Sequence, residues 1–251
     1  MLKTLKAGLL LGLVLSACAA RAELPVDYKV VLLTENFPPF NMAVDDKNFA
    51  RDDGIDGISA EIVRAMFKRA GINYTLTLRF PWDRLYKQAL DSKGYGLFST
   101  IRTPEREALF KWVGPIAVSD WVLMAKADST ITLDNLEQAG AYRIGGYRND
   151  AISQFLIDRG VTVQTSLQDK ENLNKLEKNL IDLWATDEVG GRYMAKQSPL
   201  GALKVVHRFN SADLYLALNK ETPDDLVQKL QKALDQMRAR GELGAIKDAY
   251  L

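Results

Sequence analysis

The sequence holds one cysteine and one histidine in 251 residues. A lone cysteine, Cys18, closes no disulfide within the chain. Together the two residues are too few for a Cys-rich or His-rich zinc site. A Ser-His-Asp triad would have to use His207, which lies between Val206 and Arg208 with no nucleophile motif in view, so His207 reads as structural or surface-exposed. Glycine-rich phosphate loops are missing too. Gly145-Gly146 lacks the third glycine of a dinucleotide fingerprint, and no Gly-Lys-Ser/Thr occurs. Charge of one sign is also lacking: Lys and Arg number 33 against 32 Asp and Glu, which leaves no basic excess for nucleic acid. Internal repeats, Ser/Gly linkers and low-complexity tracts are absent. These absences lead to the expectation of no catalytic residue, no metal, no cofactor and no nucleic-acid partner.

Present instead is an ordinary globular composition, 47% hydrophobic and 26% charged. The N-terminus departs from it. Lys3 and Lys6 precede an apolar run from Ala7 to Ala17, followed by small residues at Ala19, Ala20 and Ala22. This is the pattern of a bacterial secretion signal over residues 1–22, too short for a membrane-spanning helix of about 20 apolar residues. No later stretch reaches that length. Removing the segment takes the formal charge from +1 to −2, because it holds Lys3, Lys6 and Arg21 and no acid. Leu15-Ser16-Ala17-Cys18 resembles a lipobox, which would make Cys18 the lipidated N-terminus; cleavage after Ala20-Arg21-Ala22 is the competing reading. Either route delivers the chain to the periplasm.

Strand and helix patterns alternate along the rest. Val- and Leu-rich Tyr28–Thr34 suits a buried parallel strand. Helix Ser59–Ala70 presents Ile62, Val63, Met66 and Phe67 on one face and ends at Gly71. Strands are expected at Tyr74–Phe80, Leu97–Thr100, Trp121–Ala125, Arg143–Tyr147, Val161–Gln164, Ile181–Thr186 and Asp213–Leu218. Helices are expected at Pro81–Leu90, Leu133–Ala139 and Ala151–Arg159. A last helix carries Leu226, Leu230, Leu234 and Met237, with Thr222 as its cap and Pro223 in its first turn. Such alternation argues for an α/β fold with mainly parallel sheets.

Phe37-Pro38-Pro39-Phe40, Asp56-Gly57-Ile58-Ser59-Ala60-Glu61-Ile62 and Thr103-Pro104-Glu105-Arg106 stand in this order, followed by Asp182-Leu183-Trp184-Ala185-Thr186-Asp187 and Gly241-Glu242-Leu243-Gly244-Ala245-Ile246. In order and spacing they resemble the bacterial extracellular solute-binding proteins of family 3, the polar amino-acid receptors of ABC importers. The resemblance runs from about Tyr28 to Tyr250. It implies a two-lobed periplasmic-binding-protein fold of type II, each lobe a mainly parallel sheet flanked by helices, joined by two crossover strands. Lobe one would be 28–118 plus 214–251, and lobe two 119–213.

The resemblance also implies roles. Arg106 would grip a ligand α-carboxylate, which suits the planar donor fork of a guanidinium; alone, flanked by Glu105 and Glu107, it reads equally as a solvated charge. Asp187 would receive the ligand ammonium, or act as a helix N-cap. Phe37 and Trp82 would flank the ligand side chain, or be plain core. Ser99 and Thr100 would offer hydroxyls and backbone groups. A departure follows Arg143-Ile144-Gly145, where a Gly-Thr or Ser-Thr step is usual and Arg148-Asn149-Asp150-Ala151 stands instead. Asp150 would repel a carboxylate there or cap the next helix, so the ligand is expected to be atypical. Trp112-Val113-Gly114-Pro115, in place of the usual Phe-Ser-x-Pro, points the same way. The function implied is capture of a small amino-acid-like molecule by a monomer and delivery to an ABC permease in the inner membrane. Two other classes stay open: a secreted dehydratase on the same scaffold, with Glu35, Asp150 or Glu188 as its acid, and a sensor module without transport.

Overall fold

The computed structural model describes residues 28–45 and 47–250; the secretion segment, Cys18 and the cleavage point lie outside them. The first part of the chain runs through β1 (Lys29–Thr34), β2 (Met42–Ala43), β3 (Ala50–Arg51), β4 (Ile55–Asp56), α1 (Ile58–Ala70), β5 (Asn73–Leu78), α2 (Trp82–Asp91), β6 (Tyr95–Ile101) and β7 (Phe110–Lys126). It continues through β8 (Ile144–Tyr147), α3 (Ala151–Ile157), β9 (Val163–Ser166), α4 (Glu171–Glu177), β10 (Leu183–Asp187), α5 (Glu188–Lys196), β11 (Leu203–Asn219), α6 (Asp224–Ala239) and α7 (Glu242–Asp248). No helix among the described residues is long and apolar enough to cross a membrane.

Nine strands form one continuous sheet in the order β3-β5-β1-β6-β11-β7-β10-β8-β9. On one side β5, β1 and β6 are parallel. On the other β10, β8 and β9 are parallel. Between them β7 and β11 pair antiparallel from Leu203 opposite Lys126 to Asn219 opposite Phe110. Each of these strands is 17 residues long and belongs to both halves. The expected strands Trp121–Ala125 and Asp213–Leu218 are therefore segments of longer ones.

Each half buries both faces of its inner strands, which explains the nearly continuous apolar runs of β1, β6 and β10. In the first half α1 packs Ile62, Val63, Met66 and Phe67 with Leu226, Leu230, Leu234 and Met237 of α6 against Leu32, Leu76 and Phe98. The opposite face is covered by Trp82, Leu85 and Ala89 of α2 over Leu33 and Leu97. In the second half Leu173 and Leu176 of α4 meet Trp184, while Ile152 and Leu156 of α3 cover Leu183 and Ala185. Gly145 and Gly146 lie between these two layers. A Cβ on Gly145 would meet Asn172 and one on Gly146 would meet Ser153, so the pair is required by close helix–strand packing.

Two local expectations fail. Leu133–Ala139 is not an α-helix; only a 3₁₀ turn forms, over Glu137–Ala141. Thr222 does not cap α6, because Pro223 holds the N-cap position and its fixed φ leads directly into the helix.

The motifs at 37–40 and 56–59 meet at the start of α1. Ile58 and Ser59 donate their backbone N–H groups to the carbonyls of Pro39 and Phe40, at 2.9 and 2.8 Å. Gly57 between them has φ 120°, and a Cβ there would lie 2.5 Å from the Phe40 carbonyl oxygen. No L side chain fits. Gly57→Ala is expected to lower the unfolding free energy by at least about 2 kcal/mol. Urea unfolding of the two proteins measures this, and equal midpoints would contradict it.

Candidate functional site

The site lies where the ends of β1, β6 and β8 face one another across the central pair of strands. Glu35 and Phe37 follow β1, Trp82 opens α2, and Ser99 and Ile101 belong to β6. Arg106 comes from the turn before β7. The other half contributes Tyr147, Asp150, Asp169 and Thr186. All of these line one inner pocket of about 50 Å³. Such placement follows from open α/β sheets, whose strand ends leave a crevice.

The two halves touch around it. The Tyr147 hydroxyl donates to Glu35 Oε2 at 2.7 Å and accepts from the Trp82 backbone N–H at 3.4 Å. Behind them the Tyr193 hydroxyl lies 3.4 Å from Met42 Sδ. Gly190 of α5 approaches the Phe37–Pro38 turn so closely that a Cβ would sit 3.0 Å from the Pro38 carbonyl oxygen.

Arg106 is held without being used up. Its guanidinium lies 5.1 Å from the Tyr86 ring centroid, and Nη1 donates to the Ile101 carbonyl at 3.3 Å. The rest of the fork makes no further hydrogen bond or ion pair among the described residues and remains available to an anion. Asp150 caps α3 by accepting from the Ile152 N–H at 3.1 Å, and it also lines the pocket. Burial raises its pKa, against the pull of the Arg106 charge. Phe37 packs on Phe40, with ring centroids 4.9 Å apart, and keeps one face toward the pocket. Ser99 takes a left-handed φ of 57°, and its hydroxyl donates to Asn41 Oδ1.

Thr100 and Asp187 lie elsewhere. Thr100 is fully buried and turns its hydroxyl onto the Leu97 carbonyl at 3.0 Å, because alternation along β6 points it away from Ser99's side. Asp187 is also fully buried and caps α5, accepting from the Gly190 N–H at 2.7 Å. Burial pushes its carboxyl up to about 6, while the Gly190 amide and the Ser119 hydroxyl pull it down. Glu188 is engaged in ion pairs with Arg192 and Arg208. His207 is half-buried on β11 opposite Leu123.

A second acid that faces the pocket from that half, beside Asp150, is Asp169. Trp184 Nε1 donates to its Oδ1 at 2.8 Å, Thr186 Oγ1 to its Oδ2 at 3.0 Å, and Asn172 Nδ2 to its Oδ1 at 3.1 Å. Burial pushes its pKa up to about 7 despite these donors. Glu35 is pushed up to about 8, first by burial and then by the charges of Asp150 and Asp169, with the Tyr147 hydrogen bond opposing. Among the residues lining the pocket three are acids and one, Arg106, is a cation. Asp169 has no motif around it in the sequence; the only signal is that Trp184 and Thr186, inside the recognised Asp182–Asp187 stretch, donate to it.

Glu35, Asn36, Phe37, Tyr147 and Asp169 also line a second, outer cavity of about 570 Å³. Its walls are Met42, Val44 and Phe80 on one side and Leu173, Tyr193 and Pro199 on the other.

Residues 30–251 match the family model of the bacterial extracellular solute-binding proteins, family 3. The chain belongs to this family. Solved structures share its two-lobed fold. A histidine kinase sensor domain similar to periplasmic binding proteins superposes with TM-score 0.78 at 18% identity, covering 89% of this chain and 96% of that one. The arginine-, lysine-, histidine-binding protein ArtJ of Geobacillus stearothermophilus gives 0.75 at 20% identity, covering 89% and 95%. An ancestral amino acid-binding protein, a precursor of cyclohexadienyl dehydratase, gives 0.74 at 16% identity, covering 89% and 95%. A comparison with curated protein sequences finds no match.

The buried acids make the unliganded family member sensitive to pH. An acid whose folded pKa exceeds its unfolded value binds its proton more tightly when folded, so stability falls as pH rises between the two values. For Glu35 that window runs from 4.5 to about 8. The melting temperature of the unliganded protein is expected to fall by several degrees between about pH 5 and about pH 9. Glu35→Gln should flatten part of that slope. A melting temperature that rises over this range would contradict the assignment.

Proposed function

We propose that the protein captures a small amino-acid-like molecule carrying an extra positive charge and delivers it to an ABC permease in the inner membrane. The observation that carries this reading is the composition of the inner pocket. One guanidinium with a free fork suits a carboxylate. Three acids around it are electrostatically incomplete until cations join them. The carboxylate would sit on Arg106, with Asp150 and Asp169 taking the ammonium group that the sequence motif assigned to Asp187. Phe37 and Trp82 would enclose the side chain, and aromatic faces favour cations.

Residues 28–118 with 214–251 would form one lobe and 119–213 the other. The pairing of Val118 with Asp213 inside the β7–β11 ladder supports a hinge there. Closure around the ligand is the expected working motion.

A second reading rests on Glu35, whose carboxyl is pushed up to about 8 by burial and accepts a hydrogen bond from the Tyr147 hydroxyl. Such a group is suited to protonate a leaving hydroxyl, as a dehydratase requires. Turnover of prephenate or arogenate with release of water and carbon dioxide would favour it over binding alone.

Binding is tested by calorimetry and thermal shift with lysine, arginine and their relatives. At a hundredfold excess over the dissociation constant a ligand adds about 2.7 kcal/mol, which is roughly 5–10 °C for a chain of this size. Arg106→Ala should abolish the shift, because the carboxylate would be enclosed without a partner. Affinity should tighten between about pH 6 and about pH 8, by up to roughly tenfold per unit for each proton displaced, since Glu35 and Asp169 must ionise to hold a cation. An Arg106→Ala protein that binds as tightly as the parent, or an affinity that weakens with rising pH, would overturn the assignment.

A further inference from the structure

The inner pocket and the outer cavity share one neck, and the neck is acidic. At about 50 Å³ the pocket accommodates roughly four water-sized groups, enough for the carboxylate, α-carbon and ammonium of an amino acid and little more. The outer cavity, at about 570 Å³, falls within the range that accommodates ligands larger than a single amino acid. Glu35 and Asp169, which line both, present two carboxyl groups where anything passing from one to the other must cross. Tyr147 stands at the same point. Beyond the neck the walls mix apolar surface from Phe37, Leu173 and Tyr193 with the side-chain amides of Gln168, Asn174 and Gln197, and Asp56, Lys170 and Glu171 add charges of both signs.

We infer that the ligand occupies both cavities: an amino-acid head on Arg106, a cationic nitrogen in the neck against Glu35 and Asp169, and a neutral polar tail in the outer cavity. This describes a basic amino acid substituted on its side-chain nitrogen so that the nitrogen keeps its charge. The inference rests on the reading of the inner pocket as an amino-acid site. An unsubstituted lysine would fill the head and neck and leave the outer cavity to water. A tail bearing hydroxyls has partners in the amides and a flat apolar surface in the two aromatic rings.

Calorimetry with three probes tests it: L-lysine, Nε-fructosyl-L-lysine, which keeps a charged secondary amine, and Nε-acetyl-L-lysine, which loses the charge. The fructosyl compound is expected to bind at least tenfold more tightly than lysine, and the acetyl compound more weakly than either. Gln197→Trp changes an exposed residue at the end of α5 and fills the outer cavity. It should weaken fructosyl-lysine about tenfold, leave lysine unchanged, and melt with the parent when unliganded. Lysine binding as tightly as fructosyl-lysine, or a Gln197→Trp protein that does not separate them, overturns the two-cavity inference. In that case loss of lysine binding in Arg106→Ala shows that the amino-acid reading survives it. If no probe binds the parent, both fall.

Discussion

The antiparallel pairing of β7 with β11 is the constraint on which the rest depends. Each strand serves both halves of the one sheet, so the halves share a continuous hydrogen-bond ladder. The acids of one half and the arginine of the other can meet only because this ladder fixes their approach. It carries register shifts, between Val205 and His207, between Arg208 and Asn210, and between Leu214 and Leu216. Such irregularities bend a strand and raise its local twist. A pair of long strands with bends near the middle positions two lobes and still permits rotation between them, which a flexible linker would permit without the positioning.

The sequence revealed strands with a regular pattern, either buried throughout like β1 or alternating like β5, and hid those without one. β1, α1, β5 and α2 were legible within a residue or two, because Val-Val-Leu-Leu runs and a one-faced helix leave a clear period. The length of β7 was not. Gly114-Pro115 interrupts it and Ser119-Asp120 places polar residues in its middle, both of which read as loop. β11 opens with Lys204, His207, Arg208 and Asn210 for the same reason: around the bend the sheet is half-exposed, and no core demands apolar residues there.

The site divides in the same way. Arg106 and Phe37 belong to motifs that fix backbone as well as side chain, and together with Trp82 and Ser99 they line one pocket. The Pro-Pro turn is clamped by Gly57, and the Thr103–Arg106 turn closes with an Arg106 N–H to Thr103 carbonyl bond of 3.0 Å. Asp187 shows the limit. Its position at a strand end was right, but a carboxylate directly before a helix has the exposed N–H groups of that helix as near competitors, and they take it. Asp169 escaped notice because what gives it a role, the Trp184, Thr186 and Asn172 donors, is contributed from other elements.

Placing three acids beside one arginine looks like a design against stability, and without ligand it is one. Desolvation disfavours each charge, and each carboxylate raises the cost of the next, so the pKa values of Glu35 and Asp169 are pushed up to about 8 and about 7. The donors around Asp169 do not remove that cost. They orient its oxygens, so that a cation entering the pocket finds acceptors already in position and spends less on ordering them. On the reading proposed for the pocket, the same arrangement would reject neutral and anionic amino acids. A neutral side chain would leave the acids protonated and gain nothing from them, whereas an acidic one would add a fourth negative group to an enclosed space. Selectivity would then come from an imbalance that only the right charge corrects, with the raised pKa values of Glu35 and Asp169 easing the empty site.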